Sequence, residues 1–460
     1  DYGVRSDDQK WGVHTTLFHT NGSTSFSDEK IQKQSATVGV DRQGSHSRFY
    51  FDGGYAYNDV ENPQYRITFN KNYNLANGLP SADHNRKFGS PGTFRHVTEK
   101  YGVARYEYDF TKNVSAYAAF GMRETKMEYL YNEFRLNNLN LDRNGSASVQ
   151  YRYNNQVNKA NSGEIGIKGK FNRGGFDNEV TLAANRYEWK RYMANRLSTD
   201  KYYATSFNNP AWRSNNTWAT SQGWEEPLND KNILTGLSLT DVITTPDKQW
   251  TFILGGRYQN IKQTSYKTPF SSSSGTYEKH AFSPAVGVVR KVNDHMSLYA
   301  NYMEGLSAGD IVGSGYDNEN TLLAPQKTKQ VEVGAKWETA KTLTTLSPSQ
   351  MSQDATMDVV SDGPYGKSLT NDGQVRNRGI ELSVAGEPKE GTRVMGSLMY
   401  LDAKYTAGNA NVGNTYMGTP HWQAVARVEQ DIKSVKGLSV SARANYQGSA
   451  YVDAANTAKV

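Results

Sequence analysis

The chain has no cysteine, which excludes a disulfide scaffold, thiolate metal sites and a cysteine nucleophile. It has no run of about 18 apolar residues, the length a membrane-spanning helix needs, and its mean hydropathy is −0.75. No secretory leader stands at the N-terminus, so the 460 residues read as a mature or truncated chain. A net charge of +6 is too diffuse over this length to argue for nucleic acid. The eight histidines (His14, His19, His46, His84, His96, His280, His295 and His421) are scattered, with no HExxH or other ligand spacing. A protein-bound metal is therefore not expected. "GSG" at 313–315 lacks the strand-to-helix setting of a phosphate loop. No Ser/His/Asp set emerges from spacing, and no catalytic activity is expected.

What is present is tyrosine, 30 residues, and glycine, 41, beside only 36% apolar residues. Tyrosine, with an apolar ring and a wet hydroxyl, suits a membrane–water interface. The hydropathy test leaves a transmembrane barrel open, because inward-facing polar residues dilute it. The stretch "KQVEVGAKWE" (329–338) sets Val331, Val333, Ala335 and Trp337 against Gln330, Glu332, Gly334, Lys336 and Glu338. That is period two, a strand with unlike faces. The same alternation runs through "RFYFDGGYAY" (48–57), "GEIGIKGKF" (163–171), "WTFILGGRY" (250–258), "MSLYANY" (296–302) and "GLSVSARANY" (437–446). Roughly 17 such strands are predicted, and helical period is nearly absent.

The connections alternate in length. Tight turns are predicted at 41–46, 109–113, 172–178, 244–249, 291–295, 386–392 and 433–437. Long polar stretches are predicted at about 59–99, 193–230, 304–328, 339–376 and 406–420. An outer-membrane barrel has this pattern, with short periplasmic turns and long extracellular loops. Strands at Val114–Tyr129, Asn178–Tyr192, Gln249–Ser265 and Gly437–Gly448 exceed the common five or six residues and meet the roughly 9–11 that a tilted spanning strand requires. Val331, Val333 and Ala335 are expected to face lipid, Trp337 an interface, and Glu332 and Lys336 the interior. The fold class expected is all-β, a transmembrane antiparallel β-barrel.

Four stretches, "LYANYMEGL" (298–306), "LLAPQKTKQVEVGAKWE" (322–338), "VRNRGIELSVAG" (375–386) and "GLSVSARANYQGSAYVDAAN" (437–456), resemble the C-terminal half of a TonB-dependent siderophore receptor; "DYGVRSDDQKWGVH" (1–14) resembles an earlier barrel segment of that family. The resemblance implies a 22-stranded barrel around an N-terminal plug, and energised uptake of ferric-siderophore complexes. It implies TonB–ExbB–ExbD as partners, a monomer in the Gram-negative outer membrane among lipid and lipopolysaccharide, and no resident cofactor, since the iron arrives chelated. Residues 1–460 then read as a partial barrel, with the plug and the last strands outside it. "TLTTLSPSQMSQDATMDVV" (342–360) is shorter and less alternating than the family's hairpin there. A passive porin, or a TonB-dependent receptor for haem, cobalamin or sugar, is the alternative reading.

A ferric siderophore is compact, often anionic and partly aromatic. Tyrosine and tryptophan offer it stacking surface and donors, and arginine offers charge-assisted donors. The long stretches place Tyr202, Tyr203, Trp212, Arg213, Trp218 and Trp224 in 193–230, and Tyr316 in 304–328. These are the expected ligand-binding residues. Tyr65, Arg66, Tyr73, His84 and Arg86 accompany them in 59–99. The plain alternative for each is packing of loop on loop. Pro325 marks the start of a strand, and Arg378 and Glu381 are read as polar residues of the barrel interior.

Overall fold

The computed structural model describes the chain apart from residues 27, 65–66, 70–72, 74–77, 79–87, 140–144, 198–202, 213–225, 270–273, 311, 314–315, 320, 365 and 409; at 69, 138–139, 195–197 and 203 it describes the backbone alone. Twenty strands and no helix are found among the described residues. They are β1 (Tyr2–Arg5), β2 (Trp11–Ser23), β3 (Lys30–Gln43), β4 (Ser47–Glu61), β5 (Ile67–Phe69), β6 (Phe94–Asp109) and β7 (Val114–Leu139). Next come β8 (Gly145–Arg173), β9 (Phe176–Leu197), β10 (Tyr203–Ser206), β11 (Leu228–Thr244), β12 (Trp250–Ser265) and β13 (Gly275–Lys291). The last are β14 (Met296–Ser307), β15 (Gln326–Glu338), β16 (Thr342–Val360), β17 (Lys367–Lys389), β18 (Thr392–Ala407), β19 (Trp422–Asp431) and β20 (Ser439–Gln447). β1, β5 and β10 are too short for alternation to reveal.

Contacts divide the chain into two compact sets. In the first, residues 1–167, 184–235 and 261–278, β1 to β4 pair in sequence, β4 pairs with β6, and β6 with β7, all antiparallel. The three-residue β5 runs parallel to β7, and β10 pairs antiparallel with β8. In the second, residues 168–183, 236–260 and 279–460, an antiparallel ladder runs from β13 to β20.

The large apolar residues are on the outside. Val331 and Val333 are 48% and 46% exposed, Trp337 62%, Ile165 63%, and Leu17 78%. Their neighbours on the other face interact with one another instead. Tyr299 donates to Glu332 at 2.5 Å, and Lys336 lies 5.6 Å over the Tyr299 ring. Gly334 is the close-approach point, since a Cβ there would run into that ring. The first set repeats the arrangement. Phe51, Tyr106 and Phe120 face outward, while Arg48 binds Glu107 and Asp109, and Tyr117 donates to Glu164 at 2.8 Å. Contiguous apolar surface on this scale is unfavourable in water and suits a wall bathed in lipid.

The alternating connection lengths expected from sequence appear. Gly174 and Gly175, at φ 62° and 88°, form the two-residue turn between β8 and β9, where both central residues need positive φ. β15 begins one residue after Pro325. Two expectations need correction. Residues 339–376 are not a long loop, because β16 and β17 occupy most of them and leave 339–341 and 361–366 as connections. Arg378 and Glu381 do not share the interior. Residues three apart on a strand point to opposite faces. Glu381 accepts from Ser397 at 2.9 Å, while Arg378 lies with outward Ile380 and Leu382 and donates to Gln350 at 2.5 Å. Epitope tags in 308–325 or 408–421 should be reached by antibody on intact cells. Tags at 174–175 or 245–249 should be reached only after outer-membrane permeabilisation; labelling of this second pair on intact cells would reverse the topology.

Candidate ligand-binding face

β7 and β8, of 26 and 29 residues, run far beyond what a bilayer requires. Their projecting ends carry the one hydrophobic cluster of buried residues found among the described residues. Phe134, Leu136, Ala147, Val149, Tyr151 and Phe207 form its centre, with Ile67, Tyr73, Phe88 and Trp212 packed against it. Described residues of both stretches, Ile67, Tyr73 and Phe88 from 62–93 and Phe207 and Trp212 from 198–227, thus pack on the β7–β8 hairpin. Phe88 meets Phe134 edge-on at 5.1 Å and Phe207 at 5.2 Å, and Phe134 meets Trp212 at 6.3 Å. Such pairs add attraction beyond burial alone.

A polar layer fastens this cluster. The Glu133 carboxylate, 5% exposed, sits 2.5 Å from Arg152 and 3.4 Å from Arg135. Asn132 accepts from the Ser90 amide at 3.0 Å and donates to the Phe88 carbonyl at 2.8 Å. The Ser90 and Tyr151 hydroxyls are 2.5 Å apart. Nearby strand ends are joined by Asp230, which accepts from Arg191 and, at 2.7 Å, from Ser265. Buried charges held by several donors make a rigid support.

Of the expected ligand-binding residues, Trp212 is packed into this cluster as loop-on-loop contact. Tyr316 is tied to the β16–β17 tip. Its hydroxyl donates to Asp358 at 2.9 Å, and Lys367 lies 4.6 Å over its ring. That hydrogen bond raises the phenol above its ordinary pKa, because it favours the protonated form. Tyr202, Arg213, Trp218 and Trp224 lie outside the described residues, as do Tyr65, Arg66, His84 and Arg86; Tyr203 is paired through its backbone with Val149. Tyr73 donates its hydroxyl to Gly78 at 2.7 Å, and burial raises its pKa. Sequence reasoning missed Phe134, Phe207, Glu133 and Arg152. The signal for Phe134 was there, since alternation continues past Tyr129 through Asn132, Phe134 and Leu136. Among the described residues no three His, Asp or Glu side chains are grouped to hold a metal. The rings of this hairpin are packed into the cluster, and the Arg135 and Arg152 guanidinium groups are held against Glu133.

The family model described as TonB dependent receptor-like, beta-barrel, matches residues 33–460. The chain belongs to this family. That makes the protein a β-barrel of the Gram-negative outer membrane, in a family of receptors and transporters rather than enzymes. The ferrichrome receptor FcuA of Yersinia enterocolitica is 28% identical over 474 residues, covering 100% of this chain and 60% of FcuA. The ferrichrome outer membrane transporter/phage receptor of Escherichia coli (strain K12) is 27% identical over 233 residues, 50% of this chain and 30% of that protein. Among solved structures, BauA, the ferric preacinetobactin receptor from Acinetobacter baumannii, superposes with a TM-score of 0.85 at 25% identity, covering 99% of this chain and 68% of BauA. The chain therefore spans less than two thirds of the length of these two curated relatives.

Proposed function

We propose that this chain is the barrel of a receptor that binds ferric-siderophore complexes at the cell surface and imports them with energy from TonB, ExbB and ExbD. The observation that carries the reading is similarity to a ferrichrome receptor along the whole chain. The relatives covering shorter stretches include ferrioxamine receptors of Salmonella typhimurium and Yersinia enterocolitica. The projecting β7–β8 hairpin and its loop cluster give the ligand-facing side its frame. Tyr202, Tyr203, Arg213, Trp218 and Trp224 are the residues proposed to meet the ligand, and Tyr316, held at the β16–β17 tip, is a further proposed contact; Trp212 supports the first group from the packed cluster. The cargo carries the iron, and the protein needs no cofactor of its own. A barrel of the 22 strands implied for the complete protein requires a plug to stay sealed, and residues 1–460 are proposed to be the barrel portion of a monomeric receptor.

Uptake of radiolabelled ferric siderophores at nanomolar concentration, by matched strains with and without TonB, tests the proposal. Uptake should fall to background without TonB. Equal uptake in both strains would reject energised transport and favour a passive channel.

A further inference from the structure

The chain leaves β18 at Ala407, and part of the connection to β19 folds back on the strand it came from. Gly413 donates its amide to the Tyr405 carbonyl at 2.9 Å, the Tyr405 amide donates to Asn414 at 3.1 Å, and the Tyr416 amide donates to Ala403 at 2.9 Å. Thr415 stands opposite Lys404. The Tyr416 ring comes to 5.2 Å from that of Tyr405. Tyr405 follows Met399, Leu401 and Ala403 in steps of two, and Met399 lies opposite Glu381. It therefore stands on the inner face of β18, at the end nearest the long connections.

A second segment holds the other side. The β19–β20 ladder ends where Gly448 donates its amide to Trp422 at 2.8 Å. Beyond that point a side chain takes over from the backbone. The Asn456 carboxamide accepts from the Thr415 amide at 2.8 Å and donates to the Thr415 carbonyl at 2.9 Å. A carboxamide carries the donor and the acceptor of a peptide group, so Asn456 stands in for a strand neighbour. Asn414 donates to the Ala454 carbonyl at 3.0 Å, and the Gly418 amide to Tyr451 at 2.7 Å. Asp453 fixes the turn around Asn456 by accepting from the Thr457 amide at 3.0 Å and the Ala458 amide at 3.2 Å.

We propose that residues 411–418 are a flap over the inner face of β18 and that Asn456 is its latch. Thr415 is buried between β18 and the latch, while Val412 and Met417 project from the flap at 55% and 47% exposure. Gly408 and Gly418, at φ 145° and 72°, flank the flap with backbone that turns without hindrance from a side chain. Each hydrogen bond that holds it contributes little net free energy, so the flap can open while the sheet beneath stays paired. Opening bares the Tyr405 ring and clears the way from the long connections to the inner face. The device is independent of the cargo proposed above.

Hydrogen exchange on the full-length protein in detergent tests the latch. Asn456 has φ 60°, so Asn456→Gly keeps the backbone and removes only the carboxamide. Gly413, Tyr416 and Gly418 keep their own acceptors in this variant, yet their amides should exchange at least tenfold faster, by a common factor. Asn414→Ala, which leaves Asn456 in place, should accelerate Tyr416 and Gly418 at least threefold. Amides at 424–428 on β19 should be unchanged in both variants. Nitration of Tyr405 by tetranitromethane, read by peptide mass, should rise at least threefold in Asn456→Gly. Acceleration confined to Thr415 would reduce the latch to a single local bond, and acceleration reaching 424–428 would make Asn456 a support of the sheet. Either result overturns the flap, as does unchanged exchange at Tyr416 and Gly418. Unchanged nitration of Tyr405 overturns its role in access.

Discussion

Replacing Val333 by arginine should cost about 2–4 kcal/mol of folding free energy in lipid vesicles, the range for arginine at the bilayer midplane. Val333 is 46% exposed, between Val331 and Ala335 on the outward face of β15, and its cross-strand partner on β14 is Ala300. In water an exposed valine changed to arginine would be nearly neutral. The size of the effect therefore reports the solvent rather than the packing. Lys336→Ala, on the inner face above Tyr299, should cost far less, since it removes one weak cation–ring contact. Urea titrations of folding into vesicles give both numbers. A Val333→Arg variant as stable as the wild type would place that face in water and end the barrel reading.

The same strand shows how much of the fold was legible. From 330 to 338 each residue type agrees with its face, so period two stood out. β16 did not stand out, because serine, threonine and glutamine fill its inner face and reach its outer face too. Ser352 and Gln350 lie outward there, leaving Leu346 among few apolar markers. The strand exists because its backbone pairs with β15 and β17 along most of its length, which no local pattern reports.

The candidate face was legible in composition and not in arrangement. The stretch 193–230, with three tryptophans and two arginines, stands out as a candidate binding loop. It does not reveal that Trp212 is used as packing against Phe134, because that pairing is set by tertiary contact between a loop and a distant hairpin. Tyr316 is similar: its partners Asp358 and Lys367 come from β16 and β17, a region that sequence reading had assigned to a loop.

Phe134→Ala should therefore be the most damaging single change to this face while sparing the barrel. Phe134 is 1% exposed and touches Phe88, Phe207 and Trp212, which belong to both long connections. Truncating a fully buried phenylalanine costs about 3–5 kcal/mol when the surroundings cannot collapse into the space. Here the rings around it are held by Asn132, Ser90 and Tyr151, which limits collapse. The loss is local, because the cluster lies on the projecting ends of β7 and β8 rather than on the lipid-facing wall. Hydrogen exchange should read it directly. Amides at 134–136 and 147–151 should exchange faster by about two orders of magnitude or more, since each 1.4 kcal/mol is a factor of ten in the opening equilibrium. Amides at 298–303 and 330–336 should be unaffected. Ferric-siderophore affinity should fall at least tenfold in the same variant, because the loops proposed to hold the ligand lose their common support. Faster exchange with unchanged affinity would separate the cluster from ligand capture, and unchanged exchange would show that Phe134 does not hold the loops together.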